Sequence, residues 1–215
     1  MTTILDIYKG YKIMPSLQKH MLQVTAVASM ICDSLDVPTE KDDIILATLL
    51  HDMGNIVKFN LSYFPEFLES EGLEYWKNIK NQYIEKYGSD EHKATEEILK
   101  EMGRTDKIRL LARQNRFTLF CSHRDSGDIN IKIIHYADMR VGPKGVMSYD
   151  ERMEDAHIRY KDSKSGLSEI EKQKLVSCGK EIEKQIFVHS KIKPEDITNE
   201  SIASLVESLK GFVIK

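Results

Sequence analysis

Only three cysteines occur among 215 residues, Cys32, Cys121 and Cys178, far apart and without Cys-x-x-Cys spacing. This scarcity speaks against a disulfide framework and against a thiolate zinc site, and it fits a reducing compartment. No stretch approaches the ~18 consecutive apolar residues expected of a membrane helix, and the N-terminus lacks a basic segment followed by an apolar run and cleavage site. The chain therefore reads as soluble and cytoplasmic, with no membrane partner. A dominant charge is missing too: the formal net charge is -3 and the pI about 6.2. Duplex nucleic acid is thereby disfavoured as a partner, although a local basic pocket could still take a small phosphate compound. There is no internal repeat, no low-complexity segment and no strand-like alternation. What remains is 41% apolar residues, enough for a substantial core.

Helical spacing organises that apolar content. Pro15 suits a first turn, and Leu17, Met21, Val24, Ala28, Ile31 and Leu35 then recur on one face. Thr39 is the expected cap of a second helix that runs through Ile44-Ile45-Leu46-Ala47-Thr48-Leu49-Leu50 and stops at Gly54 as a left-handed cap. Trp76, Ile79, Tyr83 and Ile84 predict an aromatic helix over 73–87, ended by Gly88, that covers the core or stacks on a nucleobase. Ser89 and Asp90 cap a helix through Met102, and Thr105 and Asp106 start another. Residues 117–128 mix apolar and turn signals before a helix over 129–141. Ser148 with Glu151 and Ser168 with Glu171 are capping boxes for two charged helices. Pro194 separates a last helix with Ile202, Leu205 and Leu209 on one face. The fold class is all-α, a compact bundle over residues 1–161 followed by a C-terminal helical hairpin over 162–215.

His51 and Asp52 close the most apolar run. An unpaired carboxylate there costs several kcal/mol, so Asp52 requires a cation or a dense set of donors. His20 lies on the arc of Leu17, Val24 and Val27 and can point inward. With Asp138 these residues form a two-His, two-Asp set that leaves coordination positions for water and substrate. A bound metal lowers the pKa of its water and polarises a phosphoryl oxygen, the two demands of phosphoester hydrolysis at neutral pH. His92 and His123 would permit a second metal, bridged by Asp52.

Each residue also has a structural reading. His51 and Asp52 could form a helix-end pair, His20 a satisfied core histidine, and Asp138 a cap or a partner of Arg140 or Arg116. His92 could be solvated in a first turn, and His123 could belong to a loop. His135, one turn before Asp138, is a candidate partner for a ligand, whereas His157 and His189 read as surface residues. Lys58, Arg124 and Lys144 are the candidate phosphate-binding cations. Arg140 sits about 200° around the helix from Asp138 and is expected to pair with Asp150, Glu151 or Glu154.

The ordered set His20, His51-Asp52 in "LLHDMGN", and Asp138 in "HYADMRV" resembles the HD-domain superfamily of metal-dependent phosphohydrolases over roughly residues 15–160. The resemblance implies that His20, His51, Asp52 and Asp138 bind one metal. It places His92 of "DEHKATEEILKEMG" and His123 of "FCSHRD" where binuclear members carry two further ligands. Binuclear relatives that cleave cyclic dinucleotides often have Lys where Asn55 stands, which weakens that substrate class. The expected activity is hydrolysis of a phosphomonoester or phosphodiester in a nucleotide or other small phosphorylated metabolite, with His51 and Asp52 catalytic and one or two divalent ions drawn from Mn, Fe, Mg, Co, Ni or Zn. Two alternatives use the same chain: a di-iron oxygenase on the six-ligand set, and a non-catalytic module that binds metal or nucleotide. A homo-oligomer is compatible with the polar C-terminal region.

Overall fold

The computed structural model describes residues 1–159 and 167–214. Among these, eleven α-helices and two minimal two-stranded sheets give an all-α architecture. β1 (Thr2–Thr3) pairs antiparallel with β4 (Val213–Ile214), which joins the two ends of the chain. It leads into α1 (Ile4–Gly10), started by a Thr3–Asp6 capping box, a short helix that the apolar spacing did not disclose.

α2 (Pro15–Ser34) is the central element. Pro15 stands at its first turn, and the predicted stripe is buried from Leu17 to Ile31, with Leu35 half-buried at the C-cap, but so are Leu22, Ala26 and Val27 on other faces. The reason is enclosure: α2 packs against α3 (Lys41–Leu50), α8 (Ile129–Asp138) and α11 (Asn199–Lys210). α10 (Glu169–Phe187) lies along α7 (Phe120–Asp125) and α8. Ile182 and Ile186 of α10 and Ile202 of α11 join the same apolar core as α2 and α3, each such burial being worth roughly 1.5–3 kcal/mol. The expected boundary after Lys161 lies outside the described residues. Helices α4 (Gly72–Tyr87), α5 (Glu91–Glu101), α6 (Asp106–Ala112) and α9 (Tyr149–Arg159) complete the bundle. The hairpin of β2 (Val141–Gly142) and β3 (Gly145–Val146) replaces the end of the helix expected to reach 141.

Several expected caps are present: Asp90 accepts from the Lys93 amide, Thr105 from Ile108, and Ser168 with Glu171 forms a reciprocal box. Others need correction. Glu40, not Thr39, caps α3, without a side-chain bond, and Asp42 and Asp43 in the first turn face the positive helix end instead. Gly54 is not left-handed, with φ -95°, and opens a 3-10 turn over Asn55–Lys58. Its lack of a side chain serves close packing. A Cβ there would lie 2.5 Å from the Thr95 amide nitrogen and 2.7 Å from Ala94 Cβ.

Trp76, Ile79 and Tyr83 of α4 are buried, and the Trp76 indole donates to the Leu68 carbonyl at 2.9 Å, so the Trp76 and Tyr83 rings belong to the core and are not presented to a base. Arg140 does not meet the acidic residues of α9. Its buried guanidinium donates to Tyr136 Oη and to the carbonyls of Met147, Pro194 and Ile197, tying α8 to the C-terminal segment. The cysteine reading is also corrected: Cys121 of α7 and Cys178 of α10 form a disulfide across 57 residues, while Cys32 is free and buried. Chain separation concealed a pair that the α7–α10 contact brings together. No helix among the described residues is long and apolar enough to cross a membrane.

Candidate metal centre

Three elements aim their ends at one point. His20 comes from the second turn of α2, His51 and Asp52 from the turn that ends α3, and Asp138 from the last residue of α8. Ligand atoms of His20, His51 and Asp52 lie within 4.8 Å of one another. His20 Nε2 donates to Asp138 Oδ1 at 3.0 Å and lies 3.6 Å from Asp52 Oδ2. His51 Nε2 is 3.5 Å from Asp138 Oδ1 and 3.6 Å from Asp52 Oδ2, beyond the range of a good hydrogen bond. His20, with its side chain 19% exposed, is the wet side of a cluster whose His51 is 1% exposed.

The electrostatics show what such a cluster needs. Burial alone would raise the Asp138 carboxyl, but the hydrogen bond from His20 and the nearby charge of His51 hold it well below the ordinary carboxylate range. Burial likewise disfavours charge on His51, yet Asp52 and Asp138 together raise it to about 9. Two enclosed carboxylates therefore demand positive charge, which a proton on His51 supplies in the metal-free chain. A divalent ion would satisfy the same demand more fully, with neutral imidazoles as ligands. The fit is supported by His51 itself. Its Nδ1 donates to the Thr48 carbonyl at 2.7 Å, while its buried Nε2 has no hydrogen-bond partner and is aimed into the cluster. A backbone bond on one ring nitrogen that leaves the other bare is how ligating histidines are oriented.

Asn115 was not foreseen. Its Nδ2 approaches Asp52 Oδ1 at 3.4 Å, so the segment after α6 reaches the centre through an amide. The available signal was the polar run Arg113-Gln114-Asn115-Arg116 set between two apolar stretches. His123, expected as a ligand of a second metal, is turned elsewhere: Nδ1 meets His135 Nδ1 at 2.9 Å and Nε2 meets Gln114 Oε1 at 2.9 Å. His92 lies in the first turn of α5, 3.7 Å from Glu91, and neither residue joins the cluster found among the described residues. Lys58 is 3.4 Å from Glu91. Arg124 is bound to Asp125 and points Nη1 at Cys178 Sγ, against α10, and Lys144 is exposed in the β2–β3 turn.

His135 partners His123, not Asp138, and stacks on Phe120. With Gln114 accepting from His123 Nε2, His135 Nδ1–H donates to His123 and its own Nε2 is left bare and buried. Burial, with His123 adding, pushes His135 down to about 3 from an ordinary 6.5. Its neutral form is thus the folded form. The contribution to stability is complete above pH 6.5 and is lost as pH falls toward 3, because the unfolded chain takes up the proton first, at about 1.4 kcal/mol per pH unit. A His135→Gln variant, which keeps a donor for His123, is expected to flatten the dependence of melting temperature on pH between 6.5 and 4. An unchanged slope would contradict this assignment.

The HD domain family profile matches residues 17–208. No curated protein and no solved structure matches the chain. HD domains are generally metal-dependent hydrolases that bind divalent ions, and some members are non-catalytic. The profile runs from just before His20, through the His51-Asp52 doublet and Asp138, into α11, and the chain belongs to the HD-domain family.

Proposed function

We propose that this protein is a metal-dependent phosphohydrolase acting on a phosphomonoester or phosphodiester of a nucleotide or other small metabolite. His20, His51, Asp52 and Asp138 are the residues that would hold one divalent ion of borderline or hard character. The observation that carries the reading is the buried, unpartnered Nε2 of His51 facing two enclosed carboxylates. When bound, the ion supplies a hydroxide-like water at neutral pH and Lewis acidity toward a phosphoryl oxygen. The chain's own residues do the positioning. Thr48 fixes the tautomer and ring plane of His51 through its carbonyl. Asn115 restrains Asp52 through Oδ1, which leaves Oδ2 on the side of His20 and His51. The wetter flank at His20 is where substrate and water can enter.

The six-ligand oxygenase reading is less well supported. It needs His123 beside the centre, and both ring nitrogens of His123 are engaged with His135 and Gln114. The hydrolase is tested by a panel of phosphomonoesters, phosphodiesters and nucleotides, run with divalent metals on the native chain and an Asp52→Ala variant. Metal-dependent phosphate release by the native chain alone is expected, and equal activity in both would overturn the proposal.

A further inference from the structure

We propose that Arg116, with Lys58 and the first turn of α5, forms an oxyanion-binding edge of the centre that takes the phosphoryl group of the substrate. This rests on the hydrolase reading and adds the residues that recognise the anion. Asn115, whose amide touches Asp52, places its neighbour Arg116 at the border of the cluster. The first turn of α5 is packed onto the same border. Gly54 donates its amide to Thr95 Oγ1 at 3.0 Å, and a Cβ on Gly54 would lie 2.8 Å from the Glu91 carbonyl. Lys58 and His92 converge on the Glu91 carboxylate at 3.4 and 3.7 Å.

Three features of this edge point to an anion. First, Arg116 Nε is buried without a hydrogen-bond partner. A buried guanidinium donor without an acceptor is costly, by about 1–3 kcal/mol, so an oxygen from outside the chain is the missing group. Second, Lys58 and His92 share the Glu91 carboxylate, and burial with the charges of Arg116 and Lys58 holds His92 toward its neutral form against the opposing pull of Glu91 and Asp90. Glu91 and Asp90 offset these two charges in number, so what the edge offers an oxyanion is the unpartnered Arg116 donor with Lys58 beside it. Third, the same charges oppose a second divalent ion at His92, so this flank suits the substrate's negative charge better than another metal. The planar fork of Arg116 matches a phosphoryl group, and Lys58 adds a point charge.

The test titrates inorganic phosphate calorimetrically into metal-free and metal-loaded protein, for the native chain, Arg116→Gln and Arg116→Lys, with metal content measured on each. Native protein is expected to bind phosphate, more tightly when loaded. Arg116→Gln should keep its metal and melting temperature but lose about tenfold or more in phosphate affinity in both states, with Arg116→Lys recovering part of the loss. Phosphate binding by Arg116→Gln within twofold of native would overturn the proposal, as would loss of metal from either variant or absence of phosphate binding by loaded native protein. Failure of the native chain to take up metal would instead overturn the hydrolase reading, and the metal-free titrations would still decide on Arg116.

Discussion

Replacing Asp52 by alanine is expected to empty the centre of metal and to lower metal-dependent phosphate release at least about 10³-fold. The size follows from what is lost. Lewis-acid stabilisation is worth several kcal/mol, and each 1.36 kcal/mol is a factor of ten in rate. Asp52 is the hub of the cluster: Oδ2 lies 3.6 Å from both His20 Nε2 and His51 Nε2, and Oδ1 meets Asn115. Its removal halves the carboxylate charge that any cation would meet, and among the described residues no third carboxylate joins the cluster. The fold should survive, because the side chain is excised at the end of α3 while the apolar run Ile44–Leu50 stays packed. Circular dichroism and melting of the metal-free proteins separate loss of site from loss of fold. A variant that retains metal and turnover within tenfold of native would contradict the assignment.

Reduction of the Cys121–Cys178 disulfide is expected to destabilise the protein by about 2–4 kcal/mol, which for a chain of this size lowers the melting temperature by the order of 10 °C. The bond joins α7 to α10 and closes a loop of 57 residues that contains α8 with Asp138, the β2–β3 hairpin and α9. Cutting it enlarges the ensemble of the unfolded chain. In the folded state α7 has only six residues, so its position against α10 relies strongly on the tether and on Phe120 packing. Melting with and without dithiothreitol checks the effect, with intact-mass analysis after alkylation to count free thiols. A Cys121→Ser, Cys178→Ser double variant should melt near the reduced native protein and ignore the reductant. Equal melting of oxidised and reduced native protein would contradict the structural role of the bond.

The parts of this protein that were legible in its sequence are those with a local signature. Long amphipathic helices announced themselves by period and caps, so Pro15, Asp90, Thr105 and the Ser168–Glu171 box fall where expected. The convergence of His20, the His51-Asp52 doublet and Asp138 was readable because their order in the chain and their apolar settings are sequence properties. Long-range partnerships were not. The donors to Asp52 and the partners of Arg140 are chosen by how α6, α8 and the C-terminal segment pack. Asn115 thus reaches the centre instead of His123, and Arg140 takes carbonyls of 194 and 197 instead of an acid on α9. Gly54 teaches the same lesson at one residue. A glycine after a helix suggests a left-handed cap, but here the constraint is the backbone of α5, distant in sequence and pressed against it.

The proposed function places a single divalent ion among His20, His51, Asp52 and Asp138, with His123 outside the centre. Metal content per chain, measured by plasma mass spectrometry after loading and desalting, tests it most directly when native protein is compared with Asp138→Asn and His123→Ala. About one divalent ion per chain is expected in native protein and in His123→Ala, and its loss in Asp138→Asn. Two ions per chain, one of them lost on replacing His123, or no retained ion in the native protein, would contradict it.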